Sequence, residues 1–162
     1  MSVNKSLNIE LRSATTADAQ RLQQSVWPER SVTAVLELLQ RVEDNARRGR
    51  GQGLIASSIA PNARPVAFGQ LTLWPRTSEI SDLAVAAEVR GQGIGTAMII
   101  ALIEVARSLN LPEVEIGAAQ SNPRALALYR RLGFQDNRTI DIDLGSGLEP
   151  VLYLSLILRS IG

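Results

Sequence analysis

Glu79-Ile80-Ser81-Asp82-Leu83-Ala84-Val85 has strand character and feeds a turn, Ala86-Ala87-Glu88-Val89; Arg90-Gly91-Gln92-Gly93-Ile94-Gly95-Thr96 then opens a long apolar helix. Three glycines in five residues between a strand and a helix have a physical use. They let the backbone curl tightly and approach a ligand closely. The unpaired N–H groups at the helix start point outward, with the positive end of the helix dipole behind them, and together they hold phosphate. Arg90 adds a fixed positive charge. The stretch reads as a pyrophosphate-binding strand–loop–helix.

Two familiar phosphate loops fit it badly. A dinucleotide loop needs Gly-x-Gly-x-x-Gly and a later acidic residue, whereas here the spacing is Gly91-x-Gly93-x-Gly95 and no later strand offers that acid. A nucleoside-triphosphate loop ends in Gly-Lys-Ser/Thr, and Gly95-Thr96 lacks the lysine. The chain also carries an internal control. Arg50-Gly51-Gln52-Gly53 repeats the letters of Arg90 to Gly93, but strand-like Leu54 to Ile59 follows it. With no helix dipole behind it, that copy reads as a plain helix-to-strand connection, and substitution of Gly51 is expected to leave ligand binding alone.

Arg90-Gly91-Gln92-Gly93-Ile94-Gly95 resembles the pyrophosphate loop of the GNAT superfamily of N-acetyltransferases, Arg/Gln-x-x-Gly-x-Gly/Ala, preceded by a strand such as Leu83-Ala84-Val85. A second stretch, from Asn122 to Phe134, reads as a well-bounded helix. Asn122 suits the N-cap, Pro123 the first turn, and Gly133 the position past the end. It resembles the family's second signature, Asn-x-x-Ala-x-x-Leu-Tyr-x-x-x-Gly-Phe, through Asn122, Ala125, Leu128, Tyr129, Gly133 and Phe134. The resemblance implies acetyl-coenzyme A as cosubstrate. It would be bound by Leu83, Ala84, Val85, Arg90, Gly91, Gln92, Gly93, Ile94, Gly95, Thr96, Asn122 and Tyr129. It further implies that the strand ending at Val85 and the next strand splay apart to admit the pantetheine arm.

Composition narrows the chemistry. A chain of 162 residues with 45% hydrophobic and 20% charged residues is expected to form one domain, 1–162, with a substantial core. A net charge of +1 gives no electrostatic case for nucleic acid. There is no cysteine and no histidine. A thiolate nucleophile, a Ser-His-Asp triad and a His- or Cys-ligated metal are therefore excluded, and no metal is expected. No signal peptide or membrane-spanning run is apparent, so the expected location is the cytoplasm. Nothing in the sequence argues against a homodimer.

The remaining elements follow from periodicity. Leu7 to Arg12 alternates as a strand. Helices are expected from Thr16 to about Val26 and from Ser31 through Val42. Leu54 to Ile59 and Val66 to Trp74 are strands joined by a turn at Pro61 to Pro65. The helix from Ile94 to Leu109 is apolar nearly all round and should be buried on more than one side. Val114 to Ala118, Arg138 to Leu144 and Val151 to Leu158 complete the set. The expected fold class is α/β (α+β), the GNAT acyl-CoA N-acyltransferase fold, with a mixed sheet of about seven strands and about four helices.

For chemistry, the resemblance puts Tyr129 at the general-acid position, where a phenol can protonate a departing thiolate. The alternative is a packing role on one helix face. Glu79 and Asp82 are candidate bases. Three residues apart on a regular strand, they should face opposite sides, with Glu79 sharing a face with Ser81, Leu83 and Val85. Glu79 is preferred, and a water relay remains open. Trp27, Glu29, Trp74, Asp141, Asp143 and Tyr153 are candidate acceptor contacts. The resulting expectation is direct acetyl transfer from acetyl-coenzyme A to a primary amine. The rivals are a coenzyme A-binding module without catalysis and a nucleotide-binding regulatory domain.

Overall fold

The structure is a computed structural model that describes residues 2–59 and 62–159. Pro61 of the expected turn lies outside them. The elements are β1 (Ser2–Asn4), β2 (Ile9–Ser13), α1 (Ala19–Ser25), α2 (Val32–Arg47), β3 (Gly51–Ser58), β4 (Pro65–Leu73), β5 (Ser78–Val85), α3 (Ile94–Ser108), β6 (Glu113–Ala119), α4 (Pro123–Arg131), β7 (Gln135–Asp143) and β8 (Leu148–Ile157). Short 3-10 turns precede α1 and α3. Among the described residues eight strands form one sheet in the order β1-β2-β3-β4-β5-β6-β8-β7, and only β5 and β6 run parallel.

One sheet face packs on α3 and α4, with Met98, Ile99 and Leu102 against Leu71, Ile80, Ile116 and Leu154. The other packs on α1 and α2, with Leu22, Val35 and Leu39 against Ile55 and Phe68. β4 serves both cores and is buried along nearly its whole length. Gly69 on β4 faces α3, where a Cβ would sit 3.0 Å from Leu83 and 3.1 Å from Leu102. α3 buries Met98, Ile99, Leu102, Ile103 and Ala106 but leaves Ile100 half-exposed, so its apolar circumference is only partly enclosed.

Two features depart from the sequence reading. The first is an additional edge strand, β1. The Asn4 side-chain oxygen accepts from the Ser6 hydroxyl at 2.8 Å and from the Leu7 N–H at 3.2 Å, closing the turn that returns the chain into β2. Ser2-Val3-Asn4 is too short for alternation to reveal it. The second is a bulge in β5. Phe68 pairs with Ala84 but Gln70 pairs with Ser81, so Asp82 and Leu83 together oppose Gly69. Asp82 absorbs the extra residue at φ 54°. The bulge shifts the alternation. Leu83 and Val85 join the α3 core, whereas Ala84 packs on the α1–α2 side. Glu79 and Ser81, opposite Thr72 and Gln70, therefore share a face with Ala84 and not with Leu83 and Val85.

The β5–β6 ladder has two rungs, Glu79 with Glu115 and Ile80 with Ile116. β5 runs on to Val85 and β6 to Ala119 without further pairing to each other, so a wedge opens between them.

Candidate active site

The glycine loop stands at the wide end of this wedge. Gly93 is the N-cap of α3 at φ 91°, Gly91 has φ 78°, and no side chain caps the helix. Space is not the constraint at Gly91, where a Cβ would meet nothing within 4 Å; the left-handed backbone is. Gly95 has an ordinary backbone, and a Cβ there would lie 3.7 Å from Val85, an ordinary contact. The first-turn amides of Ile94, Gly95 and Thr96 lack intrahelical acceptors and remain for a ligand. Arg90 donates from Nε to the Val85 carbonyl at 3.0 Å, which holds its guanidinium beside the loop. A cavity of about 430 Å³ joins Arg90, Gly91, Gly93, Gly95 and Thr96 to Arg124, Leu128 and Arg131 of α4. Three arginines and uncapped amides suit a pyrophosphate.

Sequence reasoning missed Arg124 and Arg131. Their seven-residue spacing, two turns of helix, was the available signal. Gln92 is exposed and does not line this cavity, and the Ile94 side chain belongs to the core.

A second cavity, of about 480 Å³, occupies the wedge. It brings Leu83, Ala84, Val85 and Arg90 together with Asn122, Leu128 and Tyr129, and it is closed by Trp27, Glu29 and Arg30. The β6-facing edge of β5 past Ile80 has no strand partner among the described residues, so, apart from the Val85 carbonyl that accepts from Arg90, the N–H and C=O groups on that edge are open to a ligand. Asn122 caps α4, its side-chain oxygen accepting from the Ala125 N–H at 3.2 Å. Tyr129 projects from α4 with its ring 6.3 Å from that of Phe134. Burial pushes its phenol pKa up. Among the described residues no fully buried side-chain oxygen lacks a partner, and the Tyr129 hydroxyl makes no hydrogen bond; it is open to the cavity it lines.

The face toward α1 and α2 carries the polar groups at the narrow end of the wedge. Glu79 accepts from the Trp74 indole at 3.0 Å. Asp82 accepts from the Gln70 amide at 2.6 Å, and Gln70 lies on the same face as Glu79. The bulge thus brings Glu79 and Asp82 to one side, against the expectation that they part. Glu115, buried on β6 beside Glu79, accepts from Arg138 Nε at 3.2 Å and Nη2 at 3.4 Å. Arg138 lies over the Tyr153 ring at 4.6 Å from its centroid. The Tyr153 phenol is pushed up by burial and by Glu79 and Glu115, with Arg138 opposing. Sequence reasoning missed Glu115 and Arg138, which are distant in sequence and meet only through the β6-β8-β7 order.

Of the other expected acceptor contacts, Trp27 and Asp143 make structural contacts. Trp27 is buried, 5.3 Å from Phe68, and forms a core wall. Asp143 accepts from the Gly145 and Gly147 amides and shapes the β7–β8 turn. Asp141, paired with Pro150, is exposed near that turn. Among the described residues no group of three or more metal-ligating side chains assembles, and no helix is long and apolar enough to cross a membrane.

The profile of the acetyltransferase (GNAT) family matches residues 15–134, which include both the glycine loop and α4. The chain belongs to this family. A Methanocaldococcus jannaschii protein named as an uncharacterised N-acetyltransferase is 36% identical over 63 residues, 39% of this chain and 28% of that protein. The chain spans between 19% and 41% of the length of this and three other curated relatives. Among solved structures, the ribosomal-protein-alanine N-acetyltransferase of Brucella melitensis is 26% identical, with TM-score 0.73, covering 92% of this chain and 99% of that one. The ribosomal L7/L12 alpha-N-protein acetyltransferase RimL, solved in complex with coenzyme A, is 18% identical with TM-score 0.78, covering 93% and 94%. At that identity the likeness is one of fold.

Proposed function

We propose that this GNAT chain transfers an acetyl group from acetyl-coenzyme A directly to an amine. The observation that carries the proposal is that the two cavities adjoin, sharing Val85, Arg90, Ala125 and Leu128 in their walls. One holds the loop from Arg90 to Thr96, and the other holds the β5 edge at Leu83 to Val85 and Tyr129. Pyrophosphate would rest on the α3 amides, with Arg90, Arg124 and Arg131 balancing its charge. The pantetheine amides would bond to the open edge of β5. Bound there, the thioester supplies the activated acetyl group.

The residues then have divided tasks. An ammonium acceptor must lose a proton before it attacks, since its pKa is about 10.4. Glu79 takes that proton directly or through water, with Asp82 on the same face as the alternative. Tyr129 gives its phenolic proton to the sulfur as the thioester bond breaks; its raised pKa keeps that proton in place at neutral pH. The chain has no cysteine to form an acyl-enzyme, which supports direct transfer.

The test is release of free thiol from acetyl-coenzyme A with a panel of amines. Steady release that requires an amine supports the reading. Acetyl-coenzyme A binding without turnover on any amine would leave a coenzyme A-binding module instead.

A further inference from the structure

The acetyl-transfer reading leaves the acceptor class open, and Arg138 bears on it. Gly117 is the first β6 residue past the last rung to β5, and its cross-strand partner is Tyr153. A Cβ at Gly117 would lie 2.9 Å from the Tyr153 ring. Glycine therefore lets the ring lie on the strand backbone where the wedge begins. Arg138, the β7 partner of Tyr153, stacks on that ring and spends Nε and one side of Nη2 on Glu115. The Glu115 side chain is 6% exposed and that of Arg138 is 49% exposed. A buried carboxylate and an aromatic face hold the guanidinium plane, and Nη1 makes no hydrogen bond among the described residues. An arginine fixed on one edge with its other donors open has the geometry that receives a second carboxylate.

The neighbouring charges are of the other sign. Glu79 is the rung partner of Glu115, and Asp82 shares its face. Neighbouring strands lie about 4.8 Å apart. An open cation and two carboxylates thus stand within a small molecule's length of one another.

We propose that the acceptor is an amine that also carries a carboxylate, with the carboxylate on Arg138 and the amine facing Glu79 at the wedge. This deepens the acetyl-transfer reading and rests on it. A polyamine would instead bring a second cation against Arg138, a like-charge contact that disfavours it.

The experiment compares lysine with 1,5-diaminopentane, which differ by the carboxylate, and 4-aminobutyrate with propylamine, at saturating acetyl-coenzyme A. The carboxylate-bearing member of each pair should have the higher kcat/KM, by about tenfold or more, the loss expected for one charge-assisted hydrogen bond. Arg138→Gln leaves Glu115 unpaired beside Glu79, so it should lower rates on both classes somewhat, but KM for the carboxylate acceptors should rise about tenfold more than KM for the plain amines. Arg138→Lys keeps the charge beside Glu115 but loses the planar fork, and should recover only part of the preference. A native preference for the plain amines overturns the inference whether or not the variants fold. So does an equal loss on both classes in a folded Arg138→Gln, and in either case acetyl transfer stands. If no amine is acetylated although acetyl-coenzyme A raises Tm, the acetyl-transfer reading fails and this inference falls with it.

Discussion

Tyr129→Phe removes one hydroxyl and keeps the ring that packs near Phe134. Turnover should fall by about 100-fold, the low end for a general acid because a thiolate already leaves well, while acetyl-coenzyme A affinity changes little. Burial raises the phenol pKa, so the donor stays protonated through the neutral and mildly alkaline range. Its ionisation would remove activity only above the ordinary phenol value of about 10. The kcat profile should therefore show no falling limb below that value. A limb near neutrality that disappears in Tyr129→Phe would overturn the assignment, as would full turnover in the variant when chemistry limits the rate. On the acceptor side, Glu79→Gln should lower kcat/KM at neutral pH by about 100-fold, and the deficit should shrink as pH rises and the amine deprotonates unaided. Asp82→Asn is the informative partner because the bulge puts both carboxylates on one face. An unchanged pH profile in Glu79→Gln with a larger defect in Asp82→Asn would transfer the role.

At the scale of elements, the strand–loop–helix from Ser78 to Ser108 depends on backbone more than on side chains. Gly95→Ala should keep acetyl-coenzyme A binding, because a Cβ there lies 3.7 Å from its nearest neighbour. Gly95→Asp should abolish binding by placing a carboxylate at the phosphate site, and isothermal titration would separate the two. Gly51→Asp is not the silent control that the repeated Arg-Gly-Gln-Gly suggests. Gly51 pairs with Thr72 inside the sheet, and a Cβ would meet the Leu71 carbonyl at 2.4 Å. That variant should lose fold stability, with a lower Tm before any ligand is added. The contrast shows what the sequence can carry. Caps and glycines announce a local setting, so α4 after Asn122 and the loop before α3 were legible, as was the strand–helix order of the GNAT fold. Register is a property of two strands at once. The extra residue at Asp82 becomes visible only against Gly69, and it reverses which residues share a face with Glu79. The meeting of Glu115 with Arg138 likewise depends on β8 entering between β6 and β7.

Across the whole molecule, the wedge is the place where sheet pairing is given up. Among the described residues β5 and β6 are the sole parallel pair and share two rungs, and the two cores lie on opposite faces of the sheet. A ligand seated there would contact β5, the α3 start and α4 together. It would bind the folded chain and not the unfolded one, so its affinity adds directly to stability. At a concentration of about 100 times its dissociation constant the gain is roughly 2.7 kcal/mol. For a chain of this size that corresponds to a rise in Tm of about 5–10 °C. Acetyl-coenzyme A should produce this rise with a logarithmic dependence on concentration. ATP should not, because Gly95-Thr96 lacks the lysine of a triphosphate loop. Hydrogen exchange should show protection at the amides between Leu83 and Val85 that face away from β4 and at those from Ile94 to Thr96, since those are the donors the fold leaves open. An unchanged Tm at millimolar acetyl-coenzyme A, or protection elsewhere with none on these two segments, would show that the wedge is not the cofactor site.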